Sequence, residues 1–447
     1  VSEPRLPPEE IARLHRRADE LLPLASLVRD GGETPPAWAE ALHALADRLG
    51  ASYPFADPAY LGQMLKPPHP VAWSAYAMAM LLNPNNHALD GGPATAHLER
   101  EVVRDIAAML GHDEHLGHLT SSGTLANLEA LWVARRLHPD AAIVSAANAH
   151  YTHARISEVV GARHETVPAT PDGAIDVAAL EERLQAGGVG TVVATLGSTG
   201  LGRLDPVHRV ADLCARHGAR LHVDAAYGGF FALIADGAEP GVDPAPFAAL
   251  ARADSIAIDP HKHGLQPYGC GCVVFADPGV GALYRHDSPY TYFTSDELHP
   301  GEISLECSRS GAAAAALWAT LRALPLTRTG LGAELAGARA AALALNARLR
   351  TLPGWSPVID PDLDVVCWHA DLPTAGAVAA ASRRAFDLLA ERGWHVALLE
   401  LPADALGLEA DAPTAAVLRS ALMKPEHRGV VGALCDALAE IRPALGD

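Results

Sequence analysis

The chain has 447 residues, 49% of them apolar and 19% charged, the make-up of a globular protein with a large core. Its net charge of −19 excludes a general nucleic-acid binder, which needs a basic face, but leaves room for an anionic small ligand in a local pocket. Six scattered cysteines exclude a disulfide scaffold and fit reduced thiols in the cytoplasm.

The N-terminal stretch VSEPRLPPEE lacks the apolar core of a signal peptide. Apolar residues at helical spacing in IARLHRRADELLPLASLV follow. The next stretch, 51–95, is rich in Pro, Asn and His and carries the apolar run VAWSAYAMAMLL. Residues 1–95 are therefore expected to form an N-terminal helical segment. HLEREVVRDIAAMLG predicts a helix ending at Gly111, and GHDEHLGH (111–118) reads as a polar loop. GTLANLEALWVARRL predicts the next helix, with Leu125, Leu128, Leu131 and Trp132 on one face.

Short β-type runs then alternate with helices. The strand candidates are 141–146, 190–197, 219–226, 254–260 and 271–278. The helical segments DVAALEERLQAG and DPVHRVADLCARHG lie between them. This alternation predicts a mainly parallel sheet flanked by helices, in a large domain over 96–330. DVVCWHA, AFDLLAERG, WHVALLEL and AVLRSALM then predict a small C-terminal α+β domain over 331–447. The alanine-rich 311–326 is too short for a membrane helix and carries Arg322, so a buried helix is expected.

In an open parallel sheet, ligands sit beyond the carboxyl ends of the strands. Four groups fall at such places. In TSSGTLAN, Ser122, Gly123 and Thr124 stand at a helix start, where free N–H groups and the positive helix end favour a phosphate; an ordinary N-cap is the alternative. His150 follows the strand 141–146 and can stack on a flat ligand or transfer a proton; a packing histidine is the alternative. Asp224 closes the strand in HVDAAYGG, placed to bind a metal or pair with a protonated ring nitrogen, or simply to make a turn. Lys262 in DPHKHG is one of only three lysines, and a lysine amine at such a site can condense with an aldehyde; a solvated loop lysine is the alternative. Together these are the parts that pyridoxal 5′-phosphate requires.

With these motifs in order, the chain resembles the group II pyridoxal-phosphate-dependent amino-acid decarboxylases, the family of aromatic amino acid, tyrosine and glutamate decarboxylases. The resemblance runs from about residue 50 to 330 on TSSGTLAN, AHYTHARISEVVG, ATLGSTGLGRLDPV, HVDAAYGG, ADSIAIDPHKHG and ECSRSG. It implies an α/β fold of the fold type I PLP-dependent transferase kind. It implies that Lys262 holds the cofactor, Asp224 pairs with its pyridinium nitrogen and His150 stacks on the ring. Ala226 would face the ring from the other side, Thr195 would line it, and Ser122, Gly123, Thr124 and His261 would take the phosphate.

The implied reaction converts an L-amino acid to an amine through a Lys262 aldimine and a quinonoid intermediate, in amino-acid and carboxylic acid metabolism. A loop tyrosine helps protonation in this family, and Tyr290 and Tyr292 are the candidates here. Arg309 and Arg419 are candidates for the substrate, with a structural ion pair as the alternative for Arg309. The segment 60–73 is expected to line the substrate pocket. The resemblance also implies a homodimer acting on a small-molecule amino-acid substrate, and a cytoplasmic location is expected. His263 and Gly264 depart from the bulky apolar residue that many members carry after the lysine.

Three other readings compete: another PLP-dependent carbon–carbon lyase or aldolase-type reaction at Cα, a silent cofactor-binding protein, and a zinc enzyme using His112, His115 and His118. The histidines recur every third residue rather than every fourth, and Gly111 and Gly117 break any helix there, which disfavours zinc.

Overall fold

The computed structural model describes residues 36–238, 240–285 and 299–446, together with Glu9 and Arg13. Helices α1 (Pro36–Leu49), α2 (Pro70–Leu82) and α3 (Pro93–Met109) come first. Each begins on a proline, whose fixed φ suits a helix start and whose missing N–H would have no partner there.

The chain then runs β1 (Leu116–Thr120), α4 (Gly123–Leu137), β2 (Ala142–Ala146), α5 (Thr152–Val159), β3 (His164–Val167) and α6 (Val177–Gln185). It continues with β4 (Val189–Thr195), α7 (Val207–His217), β5 (Arg220–Asp224), α8 (Pro244–Ala248), β6 (Ser255–Ile258) and β7 (Gly271–Phe275). The seven strands pair in the order β1-β7-β6-β5-β4-β2-β3. Pairing is parallel from β6 through to β3, while β7 runs antiparallel to both β6 and β1.

Strands β2, β6 and β7 are buried along their whole length, as expected of a sheet covered on both faces. Helix α7 shows how the cover is built. It buries Val207, Val210, Ala211, Leu213 and Cys214 and stops at Gly218, whose φ of 67° only glycine adopts freely.

After α9 (Gly311–Ala323) and α10 (Leu331–Leu349) come β8 (Trp355–Pro357), β9 (Val365–Ala370), α11 (Ala375–Glu391), β10 (Ala397–Pro402), β11 (Thr414–Ala421) and α12 (His427–Ile441). These strands make a second sheet, antiparallel throughout, in the order β10-β11-β9-β8. Helix α9 packs on α2 and α3. One apolar core runs without a break from Val192, Leu221 and Ile256 of the large sheet to Val366, Trp368 and Leu418 of the small one.

Two strands of the large sheet escape the pattern read from sequence. β1 (LGHLT) overlaps the segment expected to be a polar loop, and β3 (HETV) has too few apolar residues to stand out. The polar residues of β1 have partners inside the fold. His118 Nε2 lies 3.0 Å from Glu129 Oε2, both buried, and His112 Nε2 donates to the Leu250 carbonyl at 3.0 Å. Two of the three imidazoles proposed for zinc, His112 and His118, are thus committed to separate partners. No group of three or more ligating side chains suited to a metal occurs among the described residues.

Candidate active site

The carboxyl ends of the parallel strands converge on one cleft. Gly123 and Thr124 line it from the start of α4, His150 from the loop after β2, and Thr195 from the end of β4. Asp224 and Ala226 line it from the end of β5, and Lys262 from the loop after β6.

Asp224 is the electrostatic centre. Its Oδ2 accepts from His153 Nε2 at 2.9 Å and its Oδ1 from the Ala226 N–H at 3.1 Å. Burial works against the charged carboxylate, but the His153 hydrogen bond, the Lys262 charge and His222 outweigh it and hold the carboxyl below its ordinary range. Behind it, His222 bridges Asn127 Oδ1 at 2.7 Å and Ser255 Oγ at 2.9 Å. His153 was not foreseen, because HARIS reads as ordinary helix. Its only sequence signal is its place three residues after His150.

His150 Nδ1 accepts from the Thr152 N–H at 3.4 Å and lies 2.7 Å from its hydroxyl. Burial lowers its pKa, so the ring is a neutral flat face. Asp205, in RLDPV, also went unforeseen. It accepts the N–H groups of Thr195 and Ile175, each at 2.7 Å, fixing the end of β4, and burial pushes its pKa up to about 6.

At the lysine, Nζ lies 3.0 Å from Asp259 Oδ2. The same oxygen would meet a Cβ on Gly123 at 2.5 Å, so a larger residue there has no room. Ser122 caps α4, its Oγ accepting the Leu125 N–H at 3.3 Å. His261 does not itself line the cleft, but its Nε2 lies 3.5 Å from Asp259 Oδ2, the oxygen that also meets Lys262. Its Nδ1 donates to the Cys270 carbonyl at 2.9 Å, and its ring lies 4.7 Å from that of Tyr268.

Neither arginine expected at the substrate lines the cleft. The Arg309 side chain is buried, pairs with Glu99 Oε1 at 2.7 Å and donates to the Leu119 carbonyl, tying the ECSRSG segment to α3 and β1. The Arg419 guanidinium donates to the carbonyls of Gly200 (2.9 Å), Gly62 (3.2 Å) and Thr199 (2.8 Å). No residue of 60–73 lines the described cleft either; Leu61 is core, and Lys66 Nζ donates to the Met423 carbonyl at 2.9 Å. Tyr290 and Tyr292 lie outside the described residues.

The family model for the pyridoxal-dependent decarboxylase conserved domain matches residues 72–370. The chain belongs to this family. A probable L-aspartate decarboxylase of Halobacterium salinarum is 32% identical over 345 residues, which covers 75% of this chain and 86% of that protein. A probable L-tyrosine/L-aspartate decarboxylase of Methanothermobacter thermautotrophicus is 30% identical, covering 76% and 89%. Among solved structures, mouse CSAD superposes with a TM-score of 0.79 at 21% identity, covering 100% of this chain and 93% of that one. Oryza sativa TDC with PLP and tryptamine gives 0.78 at 19%, covering 99% and 100%. The structural likeness establishes fold type I, and the family establishes a pyridoxal-phosphate-dependent amino-acid decarboxylase.

The cleft itself fits that cofactor. A buried carboxylate kept ionised is what a pyridinium nitrogen needs opposite it. Thr195 Oγ1 and Asp259 Oδ1, both on residues that line the cleft, are buried without a hydrogen-bond partner among the described residues. The start of α4, kept open by Gly123, offers N–H groups to a phosphate.

Proposed function

We propose that this chain decarboxylates an L-amino acid in the cleft, with Lys262 as the covalent anchor of the cofactor and Asp224 as the partner of its ring nitrogen. The observation that carries this is the convergence of Lys262, Asp224, His150 and the α4 start on one cleft. When bound, pyridoxal phosphate supplies an electron sink for the pair left at Cα. Asp224 would hold a proton at the cofactor's ring nitrogen, and the His153 hydrogen bond favours its charged form. His150 offers a neutral face for stacking. Asp259, 3.0 Å from Nζ, pairs with Lys262 and fixes where its side chain lies in the cleft. L-Aspartate is the first substrate to test and L-tyrosine the second, because the relatives at 32% and 30% identity carry these names.

The test is to load the protein with pyridoxal phosphate, reduce it with borohydride and map the labelled peptide. Label is expected at Lys262 and lost in Lys262→Ala. An amino-acid panel should release carbon dioxide and amine in equal amounts. Consumption of substrate without carbon dioxide would sink the decarboxylation.

A homodimer in the cytoplasm completes the proposal. Trp38, Leu42, Leu45 and Leu49 of α1 are 67%, 65%, 51% and 60% exposed and share one helical face, an apolar stripe suited to a second copy. All six cysteines are free, which suits a reducing compartment. Light scattering should give twice the chain mass, and Leu42→Lys with Leu45→Lys should shift it towards one.

A further inference from the structure

His263, the residue after the lysine, has no role in the account above, yet it is wholly buried. Its Nε2 lies 3.2 Å from Asp364 Oδ2, an ion-pair distance. The other oxygen of Asp364 accepts the Tyr227 hydroxyl at 2.6 Å. The Tyr227 and His263 rings stand edge to face, 4.8 Å between centroids, and Phe231 closes the other side of His263 at 4.9 Å. Tyr227 lines the cleft. Three polar side chains from distant parts of the sequence thus meet in one dry place, directly behind the lysine.

Asp364 lies at the entry to β9, in the small sheet, and its neighbours dock in the same way. Asp362 accepts from Arg203 Nη1 at 2.7 Å and from the Leu204 N–H at 2.9 Å. Leu363 packs where any side chain on Gly197 would have to go, with its Cδ1 2.9 Å from that Cβ position. Gly197 also lines the cleft. Residues 362–364 therefore hold three loops of the large sheet at once. For stability alone, apolar side chains at 227, 263 and 364 would serve at least as well, because burying a charge is costly even when it is paired. What a hydrogen-bonded carboxylate adds over a methyl group is direction.

We propose that Asp364 is a positioning residue for the cofactor cleft. Through the Tyr227 hydroxyl it sets the cleft wall, and through the His263 ring it sets the direction of the Lys262 side chain. The proposal rests on Lys262 being the covalent anchor.

The experiment measures the rate at which the cofactor-free full chain takes up pyridoxal phosphate covalently at Lys262, by absorbance and borohydride mapping. The same samples give the unfolding midpoint and, once loaded, kcat and KM. Asp364→Asn is expected to slow attachment and lower kcat by about tenfold or more, with little change in KM, since small misplacements of a reacting group carry losses of this order. Tyr227→Phe should slow attachment less, and the double variant should be no worse than Asp364→Asn, because both cut one chain of contacts. His263→Gln, which keeps a donor, should retain the rate that His263→Met loses.

An attachment rate unchanged in Asp364→Asn with only a lower unfolding midpoint would overturn the proposal, as would strictly additive effects. If Asp364→Asn does not fold, Tyr227→Phe and the two His263 variants decide it alone. Covalent uptake that persists in Lys262→Ala would instead show that the anchor is misassigned, and the positioning role would fall with it.

Discussion

His222 stands behind Asp224 with both ring nitrogens engaged, and burial pushes its pKa down to about 3; burial likewise pushes His427 down to about 4. In the unfolded chain both would take up a proton near their ordinary value of 6.5. Below that pH the unfolded state binds protons that the folded state refuses, so stability falls as pH falls. Each group contributes a slope of about 1.4 kcal/mol per pH unit until its folded value is reached. Asp224 is shifted in the same direction, but as an acid whose charged form the fold favours. The stability it contributes is present above its unfolded value and is lost only as pH falls through its lower folded one. Urea midpoints measured from pH 7 to 4 should therefore decline, and His222→Gln, which keeps a donor and an acceptor, should flatten that decline.

Single residues were legible where a strand end exposes them. Lys262, Asp224 and His150 each follow a recognisable apolar run, and the fold brings all three to one cleft. Arg309 and Arg419 show the opposite case. A sequence reveals that a guanidinium is present, but not whether it faces a ligand or, as here, a carboxylate and backbone carbonyls of its own chain.

At the scale of elements, the start of α4 is the most exacting junction. Gly123 packs so closely on Asp259 that Gly123→Ala forces the carboxylate, and with it the Lys262 contact, to move. Overpacking of this kind costs about 1–3 kcal/mol. The expected outcome is a lower unfolding midpoint together with pyridoxal phosphate binding weakened about tenfold, measurable by fluorescence titration.

The strands that sequence reasoning found are those with β-branched runs buried on both faces. β1 and β3 were missed because position in the sheet makes them strands. β1 gains its partner from β7, far along the chain, and its polar His118 is satisfied by Glu129 on a helix. No local pattern encodes either fact.

For the whole molecule, the small sheet is bound to the large one by shared core and by directed polar contacts. Arg419, on β11, holds the Gly62 carbonyl and the 199–200 turn beside the cleft together. Arg419→Met would leave three carbonyls without their donor, at about 1–3 kcal/mol for each one that water cannot reach. The urea midpoint should drop sharply while the transition stays single, because the core is continuous. Two separate transitions would contradict that continuity. The presence of both sheets was legible in the order of β and α runs. Their joint ownership of the cleft wall was not, since it depends on contacts such as Tyr227–Asp364 that span much of the sequence.

The antiparallel strand β7 has a consequence for the order of events when the chain folds. Asp224, His150, Thr195 and the start of α4 hang from parallel strands or a helix end placed only after a helix-long crossover has closed. The lysine segment, 259–270, instead connects two strands that pair directly with each other, Ile258 facing Cys272. Its closure spans few residues and carries the smallest entropic penalty in the site. Pulse-labelling hydrogen exchange during refolding should find the β6–β7 amides protected before those of β2 and β4. The anchor for the cofactor would then be in place while the walls around it are still assembling.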